Sequence, residues 1–247
     1  MYPRSQTPLW QRSVQQAKRP KQELNQKRSC SSTLNNKVRE SHIVAYVEQD
    51  VRPLSRARLP VDTTELAQFL IGKTIVRKVG RSRISGRIVE TEAYPPGDSS
   101  GHGYRGQTAR NHSLFLGRGF AYVYFIYGVS YMLNVSAEEP GVGAGVLFRA
   151  LEPLEGINLM ERRRKTDRLT DLARGPGRLA IAFQIDQRLD GIDMCAEGPL
   201  WLGTAVRKTG DIGASSRIGI TREVSRLLRF FEVGSPFVSG PRALSIR

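Results

Sequence analysis

Arg87-Ile88-Val89-Glu90-Thr91-Glu92-Ala93-Tyr94 is the stretch on which the reading of this chain turns. Ile88, Val89 and Thr91 are β-branched and Tyr94 is aromatic, residue types that fit the pleated, half-buried surface of a strand. Side chains alternate across a strand, so Glu90, Glu92 and Tyr94 share one face. Two carboxylates beside an aromatic, on a strand otherwise suited to burial, fit activation of a water next to a stacking surface. The same acids fit cross-strand ion pairs with Arg or Lys, and the strand by itself favours that plainer reading.

Upstream of this strand, Asp62-Thr63-Thr64-Glu65 opens a helix with Asp62 as N-cap; Leu66, Phe69 and Leu70 form its apolar stripe, and Gly72 stops it. Strands are predicted over about 73–79, 83–94, 119–127, 130–137 and 144–152, with short ones near 199–204 and 217–220. Helices are predicted at about 154–164, 167–173 and 176–184. The short loops between several strands favour antiparallel neighbours. The fold class is therefore α+β: a single domain over 59–247, built on a curved, mainly antiparallel sheet with flanking helices. No internal repeat is visible.

Residues 1–58 read differently. Twelve Lys and Arg face four acids there, Gln, Ser and Asn are common, and the only apolar run is Ile43-Val44-Ala45-Tyr46-Val47. Such a segment buries too little apolar surface to offset its ordering entropy, so a basic, disordered N-terminal tail is expected. The whole chain of 247 residues carries a net charge of +15, which favours a polyanionic partner, nucleic acid before membrane surface. With two cysteines (Cys30 and Cys195) and three histidines, neither a disulfide framework nor a metal-ligand cluster is indicated. No apolar run approaches the roughly 20 residues that span a bilayer, and no signal-peptide core is present, so an intracellular protein is expected.

Downstream, Pro95-Pro96-Gly97-Asp98 is a turn with His102 just beyond it, followed by Gln107-Thr108-Ala109-Arg110-Asn111 and the aromatic strand Ala121-Tyr122-Val123-Tyr124-Phe125-Ile126-Tyr127-Gly128. Then come Tyr131-Met132-Leu133-Asn134-Val135, Val146-Leu147-Phe148-Arg149-Ala150-Leu151-Glu152-Pro153 and Arg174-Gly175-Pro176-Gly177-Arg178-Leu179. In this order, from about Leu59 to about Ser239, these segments resemble the 3-methyladenine DNA glycosylases of the alkyladenine (methylpurine) type. The resemblance implies a monofunctional repair enzyme, acting on alkylated or deaminated purines in double-stranded DNA. It implies no metal or organic cofactor. A monomer is expected, in the cytoplasm or nucleoid of a bacterium or the nucleus of a eukaryote.

The resemblance also assigns residues. Glu92 matches the family's water-activating glutamate, whereas Glu90 has no such match and is left to structural pairing. Arg149, an isolated charge in an apolar strand, needs a partner. The family pattern makes it orient the water with Glu92 and the backbone carbonyl of Ile218; the alternative is a structural pair with Glu90 or Glu152. Tyr94, His102 and Tyr124 match the stacking walls that hold an extruded base, and an electron-deficient alkylated purine stacks well on electron-rich rings. Alternation puts Tyr122 and Tyr124 on one strand face and Tyr127 on the other. Tyr127, before the turn-forming Gly128, matches the wedge that fills the gap left in the duplex.

Asn134 matches a gate that disfavours guanine through its 2-amino group. Gly177 and Arg178, at a predicted helix start with Pro176 in its first turn, are candidate phosphate contacts, as are Arg105 and Arg110. Two departures from the family pattern bear on substrate range: Val129 stands where some relatives carry a larger Met beside the wedge, and Gly101-His102-Gly103 stands where Ser-His-Ala is more usual. The competing readings are a non-catalytic nucleic-acid-binding protein using the basic surface and aromatic platform, and a bifunctional lyase. No lysine lies within the motif strands, which favours water as the nucleophile over an amine.

Overall fold

A computed structural model describes residues 51–126 and 128–245. Among them are eight strands in one antiparallel sheet and three α-helices. The strands are β1 (Thr74–Val79), β2 (Ser82–Tyr94), β3 (Ala121–Ile126), β4 (Ser130–Ser136), β5 (Gly145–Glu155), β6 (Leu200–Gly203), β7 (Ile212–Ser215) and β8 (Arg229–Glu232). The helices are α1 (Thr63–Leu70), α2 (Ile157–Arg164) and α3 (Pro176–Phe183). The order β3-β4-β5-β2-β1-β6 is completed by β8, which pairs with β2 and with β7. The α+β class, the curled antiparallel sheet and the flanking helices agree with the sequence reading. Among the described residues no helix is long and apolar enough to cross a membrane.

β2 is the centre of this arrangement. From Ser85 to Tyr94 it runs beside β5, while its other edge is shared: Ser82–Arg87 pair with β1 and Glu90–Glu92 with β8. A strand flanked on both edges is largely buried, which is why its carboxylates need internal partners. Beneath it lies α1, where Asp62 caps the helix by accepting from the N–H groups of Thr64 and Glu65, both at 2.8 Å. Leu66, Ala67 and Leu70 of α1 are buried, and Thr91 donates to Ala67 O at 2.9 Å. Thr91 alternates with Glu92, so α1 covers the face opposite that carboxylate. α3 packs on β4 and β5 through Leu179, Ala180, Ala182 and Phe183. A Cβ at Gly86 would stand 3.0 Å from the Phe183 ring and 3.2 Å from Glu152 O, so a larger residue there would force its neighbours to shift by a few tenths of an ångström.

The structure revises several expected boundaries. Of the 1–58 tail, residues 1–50 lie outside the described residues. The remainder joins the sheet: Pro53 bridges Gly203, Leu54 donates to Leu202 O at 2.9 Å, and Leu54 is fully buried. The helix expected at 154–164 begins only at Ile157, because β5 continues to Glu155 with Pro153 opposite Gly86. The helix expected at 167–173 is a single 3-10 turn, Leu169–Asp171, since the chain turns back to bridge Arg174 to Ala150. The strand expected near 217–220 is found earlier, at Ile212–Ser215. Gly219 (φ +80°) takes the chain out of extended geometry, and the Ile218 N–H bonds a side chain instead of a neighbouring strand. β8 was not anticipated, being a four-residue run closed at both ends by charges, Arg229 and Glu232.

Candidate active site

Strand register builds the floor of the site. Glu92 lies opposite Leu147 on β5 and Arg229 on β8; Leu147 lies opposite Asn134 on β4, and Asn134 opposite Tyr122 on β3. Directly opposed residues point to the same side of a sheet, so these five form one row across five strands. Tyr122, Asn134, Leu147 and Glu92 open onto a cavity of about 890 Å³, with Tyr94, His102, Tyr124, Arg149 and Ile218 around them. Residues far apart in the chain thus converge through backbone pairing.

Glu92 is fully buried. Its Oε1 accepts the Ile218 N–H at 2.7 Å and lies 3.0 Å from Arg149 Nη1, and its Oε2 accepts the Tyr94 hydroxyl at 3.0 Å. Burial pushes its carboxyl above the ordinary carboxylate range; Arg149, the Ile218 N–H and the Tyr94 hydroxyl oppose that shift, and Glu90 adds slightly to it. Ile218 meets Glu92 through its N–H, whereas the resemblance pointed to its carbonyl. Tyr94 is itself pushed upward, by burial first and then by Glu92, so it remains a neutral donor.

Arg149 reaches both acids. Its Nε donates to Glu90 Oε1 at 2.9 Å while Nη1 faces Glu92, so its partners include both carboxylates of β2. This geometry depends on a register irregularity: Glu90 pairs with Ala150 and Thr91 with Phe148, leaving Arg149 between them without an opposite residue. Bulges of this kind re-aim a side chain. Glu90 is also fully buried and accepts from Arg229 Nε at 2.7 Å and the Ser239 N–H at 2.6 Å. Arg229 in turn donates to Ser215 Oγ, Ser239 O and Leu244 O, at 2.8, 3.0 and 2.9 Å. Glu90 is thus structural in its partners, yet it fixes the arginine that faces Glu92.

His102 and Tyr124 meet edge to face, ring centroids 4.4 Å apart. His102 Nδ1 lies 2.7 Å from the Tyr122 hydroxyl, and burial followed by Arg110 lowers its pKa, so the imidazole is neutral at pH 7. Asn111 holds the loop that carries it, donating from Nδ2 to His102 O at 2.9 Å and Gly106 O at 3.1 Å. Tyr122 and Asn111 were given no site role from sequence. Tyr122 reads as one more core aromatic, and Asn111 only as a member of the Gln107–Asn111 segment. Asn134 donates to Tyr122 O at 3.2 Å.

The expected backbone-contact residues divide. Arg105 and Arg110 line the mouth of the cavity, Arg110 donating to Phe125 O at 3.1 Å. At the start of α3 only Pro176 reaches the cavity; Gly177 packs beside Ser130, and the half-exposed Arg178 lies 3.4 Å from Asp171. Tyr127 lies outside the described residues. Val129, beside it, is 76% exposed, and so leaves the end of the β3–β4 hairpin open to a partner.

Comparison with known proteins identifies the family. A chain from Mesorhizobium japonicum is 62% identical over 204 residues, covering 83% of this chain and 98% of the relative. One from Paraburkholderia phytofirmans is 54% identical over 196 residues, covering 79% and 92%. Each carries the name "Putative 3-methyladenine DNA glycosylase". The family model described as methylpurine-DNA glycosylase matches residues 57–236, a span that contains every residue of the cavity named above, and the chain belongs to that family.

Proposed function

We propose that this protein flips alkylated or deaminated purines out of duplex DNA and hydrolyses their N-glycosidic bond with a water activated by Glu92. The observation that carries the reading is the buried Glu92 carboxylate on the floor of an aromatic-walled cavity, held by Arg149, Tyr94 and the Ile218 N–H. A volume of about 890 Å³ admits a purine nucleoside with a water beside it. With the base between Tyr94 and the His102–Tyr124 pair, the C1′–N bond breaks and its electron pair leaves with the base. The carboxylate stabilises the oxocarbenium-like sugar, accepts a proton from the water and directs its oxygen to C1′. Asn134, on the floor, reads the base edge. Tyr127 serves as the wedge that holds the duplex open, and Arg105, Arg110 and the Gly177–Arg178 turn approach the phosphates.

None of the described residues lining the cavity is a lysine, which supports water over an amine as nucleophile and a monofunctional enzyme. The test is base release from duplexes carrying hypoxanthine, 7-methylguanine, 3-methyladenine or ethenoadenine. Release of at least one, leaving an abasic site that borohydride does not trap on the protein, is the expected result. Binding without release would return the protein to the non-catalytic reading, and efficient trapping would make it a lyase.

The pH dependence follows from Glu92. Only the ionised carboxylate can take a proton from water, and burial raises its pKa. The single-turnover rate on a hypoxanthine duplex is therefore full above the raised pKa and falls about tenfold per pH unit below it. The acid limb should lie above the ordinary glutamate value of about 4.3. A limb at or below that value would contradict the assignment of Glu92 as the base.

A further inference from the structure

Tyr94 has the cavity on one side and a buried ion pair on the other. Arg217 is buried, and its guanidinium carbon stands 4.6 Å from the centroid of the Tyr94 ring. Its Nη1 donates to Ala93 O at 2.9 Å, which holds the group against the end of β2. Its Nη2 lies 2.7 Å from Asp98 Oδ2, and both side chains are fully buried. The other carboxylate oxygen of Asp98 accepts the Ser100 N–H at 2.8 Å. Arg226, partly exposed, approaches Oδ2 at 3.5 Å. Tyr94 lines the cavity and Arg217 does not, so the ring separates a ligand in the cavity from the guanidinium.

A purine alkylated at N3 or N7 carries a positive charge, whereas a deaminated purine such as hypoxanthine is neutral. A base stacked on Tyr94 would sit roughly 8 Å from the guanidinium, near enough for an uncompensated charge in a dry wall to disfavour a cationic base about tenfold. Here the charge is compensated. Because the proposed enzyme must accept both kinds of base, the sign of the charge behind its stacking wall bears directly on lesion choice.

We infer that Asp98 and Arg217 form a specificity-determining pair: Arg217 braces Tyr94, and Asp98 cancels its charge so that the wall accepts cationic as well as neutral purines. Both are positioning residues, acting on the base through Tyr94. The inference rests on the proposed glycosylase reading.

The test compares single-turnover release of 7-methylguanine (cationic) and hypoxanthine (neutral) from otherwise identical duplexes, using the full chain. Asp98→Asn should lower the ratio of the two rates about tenfold by leaving Arg217 uncompensated. Arg217→Met should raise the ratio, because Asp98 then stands behind the ring with only the more distant, partly exposed Arg226 beside it. The double variant should return it to within about threefold of the unmodified chain, since two neutral groups replace a neutral pair. Should Asp98→Asn melt below assay temperature, Asp98→Glu provides the control at that position, with an unchanged ratio expected, and Arg217→Met provides the sign. A clasp that merely holds the loops together would slow both lesions equally; a ratio unmoved by the single variants, or moved in the same direction by both, overturns the inference. Failure of the unmodified chain to release either base would instead overturn the glycosylase reading, and this inference with it.

Discussion

Glu92→Gln is expected to lose roughly a thousandfold in single-turnover base release while still binding lesion-bearing duplex. The amide keeps the shape of the side chain; its oxygen can still accept the Ile218 N–H while its NH2 donates to the Tyr94 hydroxyl oxygen. It has no negative charge to draw a proton from water or to face an oxocarbenium-like sugar. Folding should survive, because Arg149 keeps its pairing with Glu90 and because ionised Glu92 is held against the cost of its own burial. A melting temperature within a few degrees of the unmodified chain, with base release nearly abolished, is the expected pattern. Release within about threefold of normal would remove Glu92 from the chemistry.

Arg149→Met should be the more damaging change to the fold. The arginine neutralises two fully buried carboxylates, and removing one partner of a buried pair costs about 3–5 kcal/mol. For a domain of this size that corresponds to a fall in melting temperature of about 10 °C. Glu90 keeps Arg229 and the Ser239 N–H, so most of the burden falls on Glu92, whose pKa rises further. The sign for stability follows. A carboxyl whose folded pKa exceeds its unfolded value binds the proton more tightly when folded, so stability declines as pH rises between the two values and is lowest above the folded one. The deficit of Arg149→Met should therefore be largest near neutral pH and shrink toward pH 5, as read by thermal melts across that range. Base release at pH 7 should fall with it, since a smaller share of Glu92 is then ionised. A deficit that grew on acidification would mean that the pairing with Glu92 contributes little.

Much of this site can be read from β2 and from the order of the surrounding segments. Glu90, Glu92 and Tyr94 do share a face, because two-residue alternation is a property of the backbone and survives the change of partner strands. The position of Arg149 was less accessible. Its aim depends on a slip in register between β2 and β5, and register is a pairwise property that neither strand carries alone. β8 escaped notice because four residues give too little periodicity to distinguish a strand from a loop. The alternation of Ile-Gly-Ile at 218–220 reads as a strand, yet the chain there turns at Gly219 while the Ile218 N–H holds Glu92. Asp98 and Arg217 were hidden for another reason. They are distant in sequence, and nothing in a turn aspartate or a loop arginine announces that it will be buried.

The row Tyr122–Asn134–Leu147–Glu92–Arg229 has a dynamic consequence. Every member sits on a strand hydrogen-bonded to its neighbours, so the floor moves only if the sheet comes apart. The walls at 98–111 and 217–222 are irregular chain joined to it by side-chain bonds, which can open locally at far lower free energy. Amide exchange would accordingly divide the cavity into a slowly exchanging base and quickly exchanging sides. On the proposed reading, a bulky nucleotide would then enter by deflecting the sides, without disturbing the carboxylate beneath it. On the same reading, loop substitutions would alter which bases are admitted while the Glu92 carboxylate stays in place.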